Sequence, residues 1–200
     1  MAKRCIAVFD FDGTLTTKDT LLEFIKFSCG VPRFYWGFLL FCPILILMKL
    51  HLFPNWKAKQ MIFSHFFKGW EYNDFKAMGQ SFANEVEKIE NRKMMEKLKY
   101  HLNHSDVVYV ISASIFEWVQ PWCEKIGVSR VLATQIEVEA NGIISGKFAT
   151  KNCYGKEKVR RLLEVEPERH SYVLYAYGDG RGDKEMIEFS DYGSCQYSIQ

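Results

Sequence analysis

An α/β fold is predicted for this chain: a parallel sheet with helices on both faces and a small helical insert after the first strand. Three observations predict it. Two short apolar runs, Cys5-Ile6-Ala7-Val8-Phe9 and Tyr172-Val173-Leu174-Tyr175-Ala176-Tyr177, are rich in β-branched and aromatic residues, as strands covered on both faces are. Each is followed at once by a glycine-bearing acidic cluster, Asp10-Phe11-Asp12-Gly13-Thr14 and Gly178-Asp179-Gly180-Arg181-Gly182-Asp183. Between them, helical patterns alternate with further strand-like runs, the order that produces parallel sheets.

The placement of the acids carries the chemistry. In open parallel sheets the ligand crevice lies beyond the carboxyl ends of the strands, so residues distant in sequence meet there. Four carboxylates, from Asp10, Asp12, Asp179 and Asp183, are therefore expected in one crevice. Unpaired, they would repel one another and raise each other's pKa, and a hard cation with oxygen ligands is the natural compensating charge. Either cluster alone reads equally as an acidic turn, because Asp-Gly pairs are common turn formers.

The remaining elements follow in order. Asp106-Val107-Val108-Tyr109-Val110-Ile111 predicts a third buried strand, ending at Ser112 before a helix that begins near Ile115. Taken alone, Ser112 reads first as a cap of that helix and second as a hydroxyl offered to an anion at its start, and Ser114 reads as a cap. Ala133 to Ala140 alternates, and Asn141-Gly142 turns it into Ile143 to Phe148, a hairpin beside the sheet. Gly155-Lys156-Glu157-Lys158-Val159 opens a helix. An ammonium there gains nothing from the helix dipole and makes better sense facing an anion. Lys184 onward begins another helix, so Asp183 reads either as a carboxylate favoured by that helix start or as a group near the cation.

The motifs Asp-Phe-Asp-Gly-Thr, Val110-Ile111-Ser112-Ala113-Ser114, Lys156/Lys158 and Gly-Asp-x-x-x-Asp occur in that order over nearly the whole chain. In this the chain resembles the haloacid dehalogenase superfamily of phosphohydrolases, in its phosphoserine-phosphatase-like branch with a helical cap. The resemblance implies a Rossmannoid core and an aspartyl-phosphate on Asp10. Asp12 would be general acid and base, reaching the leaving oxygen because a strand side chain two residues on returns to the same face. Magnesium would be held by Asp10, the Asp12 carbonyl and Asp179, with Asp183 behind it or acting through water. Ser112 and a lysine would bind phosphate. Relatives with Cys-Tyr-Gly-x-x-Lys point to Lys158, whereas phosphoserine phosphatases with Lys-x-Lys-Val point to Lys156; Lys158 is preferred. Asp19 occupies the position of a substrate-contacting glutamate in phosphoserine phosphatases, and equally reads as the cap of a helix starting at Thr20.

Length suits one α/β core plus an insert: residues 1–16 and 96–200 as the discontinuous core, and 17–95 as the cap. Within the cap, Thr20 to Phe27 and Asp74 to Ile89 are amphipathic. Phe34 to Met48 carries no charge, but Pro43 and the flanking Lys49 argue against a spanning helix. The segment 34–53 reads as a buried helix pair bent at Pro43, or as an interfacial hairpin with Tyr35, Trp36 and Trp56 at headgroup depth. Some relatives with a long apolar insert here resemble phosphatidylglycerophosphate phosphatases. The substrate expected is a small-molecule phosphate monoester, with a lipid phosphate monoester or a non-catalytic phospho-ligand-binding role as alternatives.

A net charge of +2 presents no broad basic face for nucleic acid. Six dispersed cysteines without a Cys-x-x-Cys pair fit a reducing compartment, and the five histidines lack metal-ligand spacing. A strand begins within a few residues of Met1, so no cleavable signal is expected. The expected location is cytoplasmic, with peripheral contact at the inner membrane surface as an option.

Overall fold

The structure is a computed structural model and describes residues 3–104 and 106–195. Its centre is β1, Arg4–Phe9, flanked by β2, Val107–Ile115, and β6, Tyr172–Gly178. Outside these lie β3, Arg130–Thr134, and β7, Tyr192–Cys195, giving the order β3-β2-β1-β6-β7 with every pairing parallel.

Alternation along β1 assigns the two faces. Ile6 and Val8 join Tyr109, Ile111, Leu174 and Ala176 on one side, under Leu162 of α7, Lys156–Val165, and Met186 of α8, Lys184–Phe189. Ala7 and Phe9 join Val108 and Val110 on the other. That side is covered by α5, Arg92–Asn103, through Met95 and Leu98, and by α6, Phe116–Ile126, through Trp118, Val119 and Trp122. Each such side chain taken fully from water contributes about 1.5–3 kcal/mol.

Two strand boundaries differ from expectation. β2 does not end at Ser112 but runs to Ile115, with its register against β3 shifting between Ser112 and Ile115. That irregularity re-aims the serines, and α6 starts without a side-chain cap, so Ser114 is not a cap. The alternating run from Ala133 divides at Gln135, whose N–H donates to Thr150 Oγ1 at 3.0 Å. Ala133 and Thr134 stay in the main sheet, while β4, Ile136–Val138, and β5, Ile144–Phe148, form the hairpin as a separate two-stranded sheet.

The insert contains α1, Thr20–Cys29, α2, Val31–Lys49, α3, Asn55–Phe67, and α4, Tyr72–Glu87. Phe24 lies at its heart, with ring centroids 5.5, 5.3 and 5.2 Å from those of Phe67, Phe75 and Phe82, and stacks on Trp118 of α6 at 4.6 Å. The insert and the sheet therefore share one apolar cluster. α2 is one continuous helix through Pro43 rather than a bent pair. The missing N–H of Pro43 costs only the bond to the Leu39 carbonyl, on an exposed stretch of the helix. One side of α2 is anchored: Phe34 and Phe41 are buried, and a Cβ on Gly37 would stand 2.2 Å from Phe66 Cζ of α3.

Candidate active site

Asp10 is the first residue beyond β1, and its N–H donates to the Tyr177 carbonyl at 2.9 Å, which fixes it at the carboxyl ends of β1 and β6. The chain then makes a wide turn over Phe11–Leu15, with Asp12 extended at φ −70°, ψ 124° and Gly13 at φ 78°. A Cβ on Gly13 would stand 2.2 Å from Asp179 Oδ2, so only glycine allows the two loops to close on each other here.

Asp12 is held by the insert and by β2. Its Oδ1 accepts from the Thr20 N–H at 2.9 Å and the Thr20 hydroxyl at 2.6 Å, and its Oδ2 accepts from the Ser114 hydroxyl. Trp118 Nε1 donates to Thr20 Oγ1 at 3.1 Å, which orients that hydroxyl. Asp19 Oδ1 accepts from the N–H groups of Leu21 and Leu22, the cap that its sequence position allows, while Asp19 also lines the crevice.

Opposite, Asp183 ends a short turn, Arg181–Asp183, and its Oδ2 accepts from the N–H groups of Asp179 and Gly180 at 3.1 and 3.2 Å. Lys158 Nζ donates at 2.5 Å to both Asp10 Oδ1 and Asp183 Oδ1. Lys158 thus reaches the crevice. Lys156, its rival for phosphate binding, does not: both lie in the first turn of α7, and two residues along a helix turn by about 200°. Lys156 is exposed and borders a separate hollow with Arg160 and Glu185. Ser112 is buried, accepts from the Ser114 N–H at 3.0 Å, and lines the crevice beside Lys59, whose ammonium donates to the Ala113 carbonyl at 3.0 Å.

The crevice holds about 250 Å³. Burial drives the Asp10 carboxyl up to about 8; the Lys158 ammonium pulls against this, and the Asp183 and Asp12 charges add to it. Burial, then the Asp183 charge, raises Asp179 to about 6. Burial works against the Lys158 charge, yet Asp10 and Asp183 outweigh it and its pKa rises. The carboxylates of Asp10, Asp12, Asp19, Asp179 and Asp183 outnumber the cations of Lys59, Lys158 and Arg181, which leaves the crevice short of positive charge.

A cation fits that deficit. Carboxylate oxygens of Asp10, Asp179 and Asp183 lie within 4.8 Å of one another, an all-oxygen set suited to a hard dication. Asp183 falls within the same 4.8 Å as the other two, so it can ligate directly as well as from behind. The Asp12 carboxylate is turned towards Thr20 and Ser114, leaving its backbone carbonyl as the ligand that the resemblance implies.

Sequence reasoning missed the residues that hold Asp12. Thr20 was legible only as a helix start and Ser114 only as a cap, and Trp118 lies 98 residues from the hydroxyl it orients. It also missed Asn55 and Tyr154, which line the crevice, and the link from Arg181 Nη1 to His51 Nε2 at 3.0 Å.

A family model for haloacid dehalogenase-like hydrolases matches residues 7–188. Over 193 residues the chain is 32% identical to the protein CicA of Caulobacter vibrioides, covering 93% of this chain and 83% of that one. A protein of unknown function from Bordetella pertussis Tohama I superposes with a TM-score of 0.80 at 17% identity, over 94% of this chain and 87% of that one. A substrate-bound phosphoserine phosphatase superposes with a TM-score of 0.67 at 16% identity, over 98% of this chain and 87% of that one. At these identities the structural likeness is one of fold.

Proposed function

The chain belongs to the haloacid dehalogenase-like hydrolases, and on that premise we propose that it is a magnesium-dependent phosphomonoester hydrolase working through an aspartyl-phosphate on Asp10. The observation that carries this reading is the Asp10-Lys158-Asp183 bridge beside Asp179: a carboxylate at a strand end, oriented by a buried ammonium, in an oxygen-lined and positively deficient crevice.

An Asp10 oxygen attacks phosphorus while the bond to the leaving oxygen breaks, and Asp12 protonates that oxygen. Asp12 then takes a proton from water, whose oxygen attacks the same phosphorus and returns Asp10 as carboxylate. The Thr20 and Ser114 hydroxyls rotate, so they serve Asp12 in either protonation state. Lys158 and Ser112 bind phosphate oxygens, and Lys158 also steers Asp10. Asp10, Asp179, Asp183 and the Asp12 carbonyl would hold the magnesium, which supplies Lewis-acid polarisation of the phosphoryl group.

The substrate proposed is a small-molecule phosphate monoester. The Asp19 oxygen committed to capping α1 speaks against recognition of free phosphoserine by the route its relatives use. A second reading, an amphiphilic lipid phosphate monoester, is favoured by one observation: a mostly apolar hollow of about 750 Å³, with Trp56, Phe148 and Tyr154 in its wall, shares Asn55 and Tyr154 with the crevice. We propose a cytoplasmic location, and peripheral contact at the inner membrane surface goes with the lipid reading.

The test is magnesium-dependent phosphate release across phosphoserine, sugar phosphates, nucleotides and a lipid phosphomonoester in mixed micelles, with Asp10→Asn as the blank. Turnover of any ester above that blank supports the reading, and preference within the panel chooses the substrate class. No turnover anywhere would leave the non-catalytic binding role.

A further inference from the structure

α2 carries an apolar stripe with none of the described residues over it. Tyr35, Trp36, Leu39 and Leu40 are 64%, 75%, 66% and 61% exposed, and Ile46, Leu47, Leu50 and Leu52 extend the same surface towards the end of the helix. Tyr35, Trp36, Leu39, Leu40, Ile46 and Leu47 recur at one-turn spacing, so they share one face, and Leu50 and Leu52 follow in the turn after the helix. Soluble monomers seldom leave contiguous apolar patches beyond about a few hundred Å².

Charge identifies what covers it. No aspartate or glutamate occurs between Glu23 and Glu71, while Lys26, Arg33, Lys49, Lys57, Lys59 and Lys68 all fall in that interval. The remainder of the chain therefore holds every acidic residue, and along the chain the apolar stripe is flanked by cations, with Glu23 just outside the interval paired to Lys26 at 2.8 Å. Arg33 and Lys49 stand at its two ends, and Lys57 lies over the Trp56 ring at 5.5 Å. An apolar face with aromatic flanks and basic residues at both ends is complementary to anionic headgroups over acyl chains. A spanning arrangement is disfavoured by the opposite side of the same helix, where Phe34, Gly37 and Phe41 are packed on α3.

We propose that α2 and the turn after it form an in-plane docking surface for a bilayer containing anionic lipid, and that docking brings the mouth of the catalytic crevice to the headgroup layer. The orientation follows from continuity. Met48, His51 and Leu52 border a hollow together with Asn55 and Tyr154, and those two residues also line the crevice. Arg181, from the loop between Asp179 and Asp183, donates to His51 and ties that turn to the catalytic loop. His51 holds φ at 60°, a conformation uncommon outside glycine, at the junction between surface and crevice. Docking itself is independent of the phosphohydrolase reading; only what the crevice does at the membrane rests on it.

The test is flotation of the full chain with vesicles of phosphatidylglycerol and phosphatidylcholine, beside vesicles of phosphatidylcholine alone. The wild type and Asp10→Asn are expected to float with the anionic vesicles. A Trp36→Ser, Leu39→Ser, Leu40→Ser variant is expected to lose at least about tenfold in bound fraction while keeping wild-type thermal unfolding, because exposed apolar contact is what it removes. Arg33→Glu with Lys49→Glu is expected to abolish the preference for anionic vesicles. A wild type that fails to float, or a triple variant that floats equally well, overturns the proposal. A non-floating dimer that the triple variant converts to monomer also overturns it, by showing a second copy on this face. Asp10→Asn that floats yet hydrolyses at the wild-type rate would leave docking standing and sink the nucleophile instead.

Discussion

The crevice and the outer face of α2 break the ordinary partition of residues in opposite directions. In the crevice, carboxylates and an ammonium are buried, and Asp12, Lys158 and Asp183 each meet two or more hydrogen-bonding partners. On α2, large apolar and aromatic side chains stand in the open with cations around them. Burying charge is costly unless it is paired, and exposing apolar surface is costly unless something covers it. Both departures therefore point beyond stability, the first to chemistry and the second to a contact. They also differ in what should respond to mutation: changes in the crevice act on turnover and folding together, whereas changes on the helix face act on neither.

The largest effect expected is on turnover. Asp12→Asn keeps the shape of the side chain but removes the acid and base, and should lower kcat by about 10²–10⁴-fold. Thr20→Val, which removes the hydroxyl that holds Asp12, should produce a smaller loss in the same direction. Steady-state phosphate release measures both, and an Asp12→Asn enzyme at wild-type rate would end the role given to that residue.

Next is folding stability. Lys158→Met strands Asp10 and Asp183 without their shared partner, and breaking a buried pair from one side costs about 3–5 kcal/mol. Urea unfolding in the presence of a chelator reads this directly. A cost below about 1 kcal/mol would class the pair with exposed ion pairs and contradict the buried geometry.

A smaller, pH-dependent effect is expected outside both regions, where the insert meets the core. Glu117 of α6 accepts from the Tyr72 hydroxyl of α4 at 3.3 Å, its other oxygen is buried without a partner, and burial raises its carboxyl to about 7. A carboxyl raised in the folded state binds its proton there after the unfolded chain has released it. The stability it permits is thus full below about pH 4.3 and declines as pH rises through 7. Glu117→Gln should accordingly raise Tm relative to wild type at pH 8 and change it little at pH 4, and thermal melts at the two pH values check the sign.

The smallest effect concerns α2. The triple serine variant on its outer face should alter folding stability by no more than about 0.5 kcal/mol and leave turnover of a soluble ester unchanged. A large loss in either would show that the face is packed in solution and would remove the contrast with the crevice.

How much of this was legible in the sequence follows from how locally each feature is determined. The strands of Ile6, Val108 and Leu174 and the acids that follow them were readable because parallel strands carry their own apolar pattern and the crevice lies at their ends. Asp19 as a cap and the Asn141-Gly142 turn were readable because capping and turning are settled within a few residues. Lys158 was separable from Lys156 only by the resemblance, since both fall in the first turn of the same helix. The extension of β2 past Ser112 was illegible because its register is set by β3, and the bonds from Ser114 and Thr20 to Asp12 join segments 102 and 8 residues away. α2 was misread as a bent pair because Pro43 ordinarily ends a helix, whereas here the lost bond falls on an exposed face.

The central claim is a covalent phosphoryl group on Asp10. The direct measurement is to quench turnover in acid, reduce the acyl phosphate with borohydride, and locate the resulting homoserine by peptide mass spectrometry. The account predicts conversion at position 10, dependent on magnesium and substrate and lost in Asp10→Asn. Turnover of substrate with Asp10 unmodified under the same quench, or modification at Asp12, Asp179 or Asp183 instead, would contradict it.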